Sequence, residues 1–447
     1  MKQPLITVPN SIRWTVNRLE AAGFEAWAVG GCVRDSFLGR TPNDWDVTTS
    51  ARPDEVSAVF SDCRTVETGI KHGTVTLILD GEPIEITTYR LDGAYEDNRH
   101  PSSVSFATRV EDDLSRRDFT VNAMAYHETR GLVDLFGGRR DLDRRVIACV
   151  GDPETRFHED GLRILRAIRF ASVLDFTVEP ETAKAIHKCR DLLSGIAAER
   201  IRVEFCKLIC GAGATRILRE YIDVISVFLP ELGACVGFEQ NTKYHCWDVF
   251  EHTLHALEIT ESDDPITRLA ILLHDVGKPL CYTEDENGGH FKGHGPVGTE
   301  LTANIMKRLR FDNATAESVT LLVKHHDCSY PAEVRTVKRL MQKMSDENIL
   351  RLMEVQRCDR LAHAPLYREH ASAIFEIPRL LREIRETDEC FSLSGLAVGG
   401  DDLIALGIPR GKQIGVILGT LLDAVIDGSL PNEKEPLLSF VRTHFQN

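Results

Sequence analysis

The chain predicts an α+β protein, a small mixed-sheet head followed by a long all-helical remainder. Three observations carry this reading. Up to about residue 150, β-like runs alternate with helical ones: AWAV (26–29), VTLILD (75–80), PIEITTYR (83–90), AMAYHE (123–128) and GLVDLFGG (131–138). From about 151 onward, apolar residues recur at three- and four-residue spacing, as in LRILRAIRFASVL (162–174) and ERIRVEFCKLI (199–209). At 447 residues and 43% apolar, the chain is long enough for three or four packed units. It contains no internal repeat or low-complexity tract.

The most informative run is AWAVGGCVRDSFLGRTPNDWDVTTS (26–50). It reads as a strand, a tight turn at Gly30-Gly31, a helix carrying Arg34 and Asp35, and a second strand carrying Asp44 and Asp46. Two residues apart on a strand, the aspartates share one face. Two hard oxygen ligands side by side suit Mg²⁺ bridging nucleotide phosphates, and a glycine turn at a helix start offers backbone N–H groups to the same phosphates. Glu85 follows in PIEITTYR, where a hairpin through Asp80-Gly81 would bring it beside the aspartates. There it would complete the metal site or serve as base for an incoming hydroxyl.

Composition narrows the class. No apolar run approaches the ~20 residues of a membrane span, and MKQPLITVPN lacks a signal-peptide pattern. The 12 cysteines are scattered without CxxC pairs, which reads as reduced thiols in a cytoplasmic protein. A net charge of −15 argues against a general nucleic-acid coat, yet arginines crowd between 116 and 169. Within that crowd, Asp160 and Arg163 read as i and i+3 on one helix, facing the same way. Cytosine and adenine present an amino donor beside a ring-nitrogen acceptor, whereas guanine and uracil present the reverse. A carboxylate that only accepts, beside a guanidinium that only donates, matches C and A and repels G and U.

With these motifs in place, the chain resembles the bacterial class II tRNA nucleotidyltransferases, the CCA-adding family, whose relatives include bacterial poly(A) polymerases. The likeness runs through roughly the first 210 residues in motif order: VGGCVRD with NDWDV, RRDFTVNAMA, GLVDLFGGRRDL, EDGLR and ERIRVEF. It implies that Gly31 and Arg34 hold phosphates and that Asp44 and Asp46 hold Mg²⁺. It further implies that Arg117, Asp160, Arg163, Arg166 and Arg169 contact the nucleotide. The segment YRLDGAYEDNRHPSSVSF (89–106) resembles the family's flexible loop, absent from CC-only members, that enables the switch to adenine; Arg90, Asp92 and Arg99 would re-aim the templating pair. Full CCA addition and A-only addition both remain open on this reading.

A second site is expected in the C-terminal half. YHCWDVFEHTLHAL (244–257) puts Asp248 and His252 four apart, followed by His274-Asp275, His294, His325-His326 and Asp359. Such ligands on several helices converge in a bundle core on one or two transition metals, with Mn, Ni, Co or Fe as candidates. The order resembles the HD superfamily of metal-dependent phosphohydrolases. His252, His274, Asp275 and Asp359 match its signature, and His294 with one or both of His325 and His326 serve a second ion. Near the C-terminus, DLIALGIPRGKQIGVIL (402–418) places Lys412 at a helix start suited to an RNA phosphate.

The expected organisation is a nucleotidyltransferase head (1–150), a helical neck (151–215), an HD-type body (216–370) and a helical tail (371–447). The expected activity is template-independent addition of CCA to tRNA from CTP and ATP, with Mg²⁺ in the head. No membrane partner is expected, and the oligomeric state is open. The rivals are a poly(A) polymerase or A-only enzyme and, from another class, an HD phosphohydrolase with an RNA-binding head.

Overall fold

The computed structural model describes residues 6–66, 69–70, 73–92, 104–286, 288–387 and 391–445. The loop segment 93–103, with Arg99, lies outside the described residues. The chain forms two compact units, Met1–Gly233 and Ala234–Asn447.

The first unit is built on a seven-stranded mixed sheet: β1 (Ala26–Val29), β2 (Asp46–Thr49), β3 (Arg64–Val66), β4 (Thr74–Leu79), β5 (Glu82–Thr88), β6 (Ala125–His127) and β7 (Gly131–Val133). Their spatial order is β3-β4-β5-β2-β1-β6-β7. The AWAV strand is buried at every position, as befits the middle of the sheet. The β4–β5 hairpin turns at Asp80 (φ 53°) and Gly81 (φ 88°), two consecutive left-handed residues that match the right-handed strand twist. Strands β2 and β5 run parallel, with Asp46 opposite Glu85. The expected hairpin therefore delivers Glu85 to the aspartate strand as read from the sequence.

The helices that follow the sheet include Pro153–Glu159, Leu162–Leu174 and Ala198–Ile209. The first is capped by Asp152, whose carboxylate accepts from the Thr155 N–H. The second is buried over most of its length and ends at Asp175, which turns left-handed at φ 54°. One expectation is corrected here. Asp160 is not helical: it sits between the first two helices with φ −141° and ψ 103°, and Gly161 opens the next helix. The extended backbone at Asp160 itself ends the first helix, so its side chain does not share a helical face with Arg163.

Among the described residues the second unit is helical apart from a short hairpin, Thr283–Asp285 with Gly288–His290. Its helices include Val249–Ile259, Pro265–Leu273, His294–Arg308, Asn313–His325 and Asp346–Ala362. Asp264, Asp312 and Ser345 each cap one of them, at the turn residues that punctuate the sequence there. Toward the C-terminus, Val398, Leu403, Ile417, Leu421, Leu437 and Val441 form a separate small core around the helices Lys412–Ile426 and Lys434–Phe445. Among the described residues no helix is long and apolar enough to cross a membrane, and no disulfide forms.

Candidate active site and candidate metal centre

In the first unit the site grows from the end of β1. The chain turns at Gly30 with φ 82° and ψ −127° and enters the helix Gly31–Phe37, whose first-turn N–H groups have no intrahelical partner. Gly30 is favoured by its left-handed φ, and a Cβ there would also displace the end of the Arg117 side chain, 2.9 Å from Nη1. Sequence reasoning singled out Gly31 and missed that Gly30 makes the room for Arg117.

Asp46 opens β2, and Asp44 precedes the strand by two residues. Burial first, then the charges of Glu85 and Asp44, push the Asp46 carboxyl up to about 6, while Arg117 pulls the other way. Three carboxylates converging with one nearby guanidinium form a set that a divalent cation would neutralise. These residues therefore fit the Mg²⁺ that the motif implies.

A stability prediction follows from the direction of that shift. The folded protein binds the Asp46 proton more tightly than the unfolded chain, so this contribution is fully present below pH 3.8 and is lost as pH rises toward 6. Above that, the ionised carboxylate opposes folding in the metal-free protein. Asp46→Asn should stabilise the metal-free protein at pH 7.5 by about 1–2 kcal/mol, and the gain should shrink by pH 4. Urea unfolding in a chelator at both pH values checks this; equal gains at the two would refute it.

Arg34, Arg166 and Arg169 belong to an ion-paired lattice, whereas Arg140, Arg144 and Arg145 are exposed. Arg34 binds Asp35 through Nε (2.8 Å) and Nη2 (2.9 Å) and donates from Nη1 to Asn122 Oδ1 (2.7 Å). Asn122 Nδ2 donates to Asp118, which accepts from Arg166 at 2.6 and 2.9 Å. Glu204 then joins Arg166 (3.5 Å) and Arg169 (2.7 Å). Burial would raise the Asp118 carboxyl, but Arg166 and the Asn122 bond overcome it and hold it at about 2. This lattice ties the motif helix to Leu162–Leu174. Sequence reasoning found the arginines but not Asp118, Asn122 or Glu204, the partners that organise them.

Arg163 is 9% exposed; it pairs with Glu159 (2.5 Å) and donates to the Arg116 carbonyl (3.1 Å), next in sequence to Arg117. Asp160 instead accepts from Arg200 (2.8 Å) and from the Leu162 N–H (3.1 Å). The Arg163 N–H donates to the Asp160 carbonyl (2.9 Å), but the two side chains are not paired and each has its own anchor.

In the second unit the histidines converge by one repeated device. His274, His294 and His326 each lie at a helix terminus and direct Nδ1 to the carbonyl three residues earlier, of Ile271 (2.6 Å), Phe291 (2.9 Å) and Val323 (2.7 Å). A carbonyl only accepts, so Nδ1 carries the proton and Nε2 is left for a ligand. All three Nε2 atoms face Asp275, at 3.1, 3.8 and 3.7 Å. His294 and His326 also bring their Nε2 atoms within 3.3 Å of each other. Two facing lone pairs require a cation between or beside them, so the residues fit a metal. Gly277 permits this approach, since a Cβ there would lie 2.4 Å from the His294 carbonyl oxygen. His252 and Asp359 complete the set, with Nε2 2.9 Å from Oδ1. Two groups able to hold an ion result: His252, His274 and Asp359; and Asp275, His294 and His326.

Two expectations are corrected. His325 does not join the cluster: its Nδ1 meets the Tyr330 hydroxyl at 2.7 Å. Adjacent helical residues point about 100° apart, so only His326 faces the core. Asp248 caps the helix Val249–Ile259 by accepting from the Glu251 N–H, and so is committed to the backbone. Three neighbours were missed. His363, four residues after Asp359, and His245 form a third group with His252. Lys278, buried, contacts Asp275 (2.6 Å), Gln240 (2.8 Å) and His245 (3.1 Å). Burial and then Lys278 push His245 down to about 2, and burial is overcome at Asp275 by His274 and Lys278, which hold it well below the usual carboxylate range. The cluster opens onto a cavity of about 630 Å³ that Lys292, Lys324 and Tyr244 also line.

These two sites define a nucleotidyltransferase head joined to an HD-type helical unit. Three family matches agree in sequence order: the Poly A polymerase head domain over residues 26–148, the family described as "Probable RNA and SrmB- binding site of polymerase A" over 175–235, and the HD domain over 242–364. The chain is 35% identical over 430 residues to a CCA-adding enzyme of Pediococcus pentosaceus, covering 96% of each chain. It is 32% identical over 446 residues to a CCA-adding enzyme of Enterococcus faecalis, covering 98% of this chain and 97% of the other. A crystal structure of the Bacillus stearothermophilus CCA-adding enzyme in complex with CTP superimposes with a TM-score of 0.76 at 29% identity, covering 98% and 100% of the two chains. The chain belongs to the family of CCA-adding enzymes.

Proposed function

We propose that this protein adds CCA to the 3′ end of tRNA, using CTP and ATP without a nucleic-acid template. The observation that carries the reading is the parallel register that sets Glu85 opposite Asp46, with Asp44 close by and Arg117 seated on Gly30. Asp44 and Asp46 would hold Mg²⁺, which supplies charge neutralisation for the reacting phosphates and acidifies the attacking hydroxyl. Gly31, Arg34 and Arg117 would seat the triphosphate. Glu85 would take up the 3′-hydroxyl proton or complete the ligand set. Asp160 and Arg163 would read the base edge, and Arg166 and Arg169, held by Asp118 and Glu204, would contact the nucleotide beside them. Lys412 at the start of its helix would meet an RNA phosphate.

The division into head (1–150), neck (151–215), body (216–370) and tail (371–447) is kept with this reading, supported by the order of the family matches. A cytoplasmic location accords with action on tRNA. In the body, His252, His274, Asp275, His294, His326 and Asp359 suit a transition metal such as Mn, Ni, Co or Fe, with imidazole and carboxylate ligands together. The shared Asp275 and the open cavity support a phosphohydrolase activity there, on a tRNA 3′ end carrying a phosphate or cyclic phosphate.

The test uses purified protein, tRNA lacking its CCA end, and CTP and ATP supplied separately and together. Three added nucleotides that require both substrates are expected. A long product from ATP alone, or addition of a single A only to tRNA already ending in CC, would overturn the assignment. In the same assay, Asp160→Ala should relax exclusion of UTP and GTP, and Arg163→Ala should impair CTP and ATP use together. Unchanged selectivity in both variants would sink the protein-template idea.

A further inference from the structure

We infer that Arg200 is a positioning residue that sets base selectivity by fixing the carboxylate of Asp160; the inference rests on the reading of Asp160 as base-selecting. Asp160 stands in extended conformation between two helices, so no helical turn restrains its side chain. Arg163 does not restrain it either, being held by Glu159 and the Arg116 carbonyl. What holds it is the Leu162 N–H on Oδ1 (3.1 Å) and the Arg200 guanidinium, with Nη2 on Oδ2 (2.8 Å) and Nη1 on Oδ1 (3.4 Å). Arg200 reaches it from the first turn of the helix Ala198–Ile209, forty residues away in sequence.

An ionised carboxylate offers about four lone-pair sites. Leu162 and the two guanidinium contacts use three, two of them on Oδ1, which leaves one on Oδ2. A single acceptor of fixed direction is what an exocyclic amino group needs, and it is what opposes a keto oxygen. The forked guanidinium fixes the plane of the carboxylate, a constraint that a point charge does not supply. Without Arg200 the carboxylate rotates about its side-chain bonds, and water enters between it and a keto base. Selectivity then falls even though Asp160 remains.

The test measures kcat/KM for all four nucleotides on tRNA lacking CCA, in wild type, Arg200→Ala, Arg200→Gln, Arg200→Lys, Asp160→Ala and the Asp160→Ala/Arg200→Ala double variant. The preference for CTP over UTP and for ATP over GTP should fall about tenfold to a hundredfold in Arg200→Ala and Arg200→Gln, with partial recovery in Arg200→Lys. The double variant should be no less selective than Asp160→Ala, because Arg200 acts through Asp160. Equal loss with all four nucleotides would make Arg200 a structural residue and overturn the inference. If Asp160→Ala keeps wild-type selectivity, the underlying reading fails instead. If Asp160→Ala loses selectivity and the Arg200 variants keep it, the inference alone fails. Thermal unfolding monitors integrity, and the glutamine and lysine variants carry the test should the alanine variant not fold.

Discussion

Asp46→Ala lowers nucleotide transfer by about 10³-fold or more, with tRNA affinity nearly unchanged. The residue opens β2 opposite Glu85, where its charge is already strained by burial and two neighbouring carboxylates. Such a site holds its charges because a cation is meant to share them, and losing a ligand removes stabilisation made in the transition state. Binding of tRNA rests mostly on remote phosphate contacts, so it survives. Asp44→Ala should behave alike. Single-turnover transfer measured beside a tRNA-binding titration checks both variants, and near-normal turnover in either would overturn the assignment of these aspartates. The same position is the one where Asn should stabilise the metal-free fold, so activity and stability move in opposite directions at Asp46.

That head site was legible in the sequence because its geometry is local. A glycine turn after a buried strand and an Asp-Gly hairpin each fix a direction within a few residues, whereas the shared strand face expected for Asp44 and Asp46 does not form, because Asp44 precedes β2. The second site was legible for another reason: its histidines and aspartates follow the order of the HD signature, although the ligands converge from positions as far apart as His252 and Asp359. The failures share a cause. The strong periodicity of Leu162–Leu174 predicts a helix through Asp160, whereas Asp160 is extended and the helix begins only after it. Arg200, Asp118, Asn122 and Glu204 act across 35 residues or more, at distances no spacing rule spans. His325 and His326 could not be separated without the orientation of their helix. His363 is the exception, since its four-residue offset from Asp359 on a helix was available to the eye.

Loss of the second metal centre should leave CCA addition in place. Its ligands all lie within Ala234–Asn447, whereas the nucleotidyl-transfer residues lie within Met1–Gly233. Asp275 is the residue to change, because four imidazole Nε2 atoms and Lys278 all face it. Asp275→Ala, however, also strips a buried lysine of its carboxylate, a change that costs about 3–5 kcal/mol where a buried pair is broken from one side. Asp275→Asn keeps the volume and an acceptor for Lys278 while removing the negative charge that a metal needs. Asn should therefore cost less stability than Ala, since Lys278 keeps an acceptor though not a counter-charge, and should lower bound metal, read by elemental analysis of the purified protein after loading with Mn²⁺, Ni²⁺ or Co²⁺. His326→Ala should also lower bound metal, and His325→Ala should not, because its ring is turned to Tyr330. Hydrolysis of tRNA ends carrying a 2′,3′-cyclic phosphate should fall with the metal. Unaltered metal content in Asp275→Asn would remove the centre from consideration, and loss of CCA addition in a well-folded Asp275→Asn protein would show instead that the two units work as one.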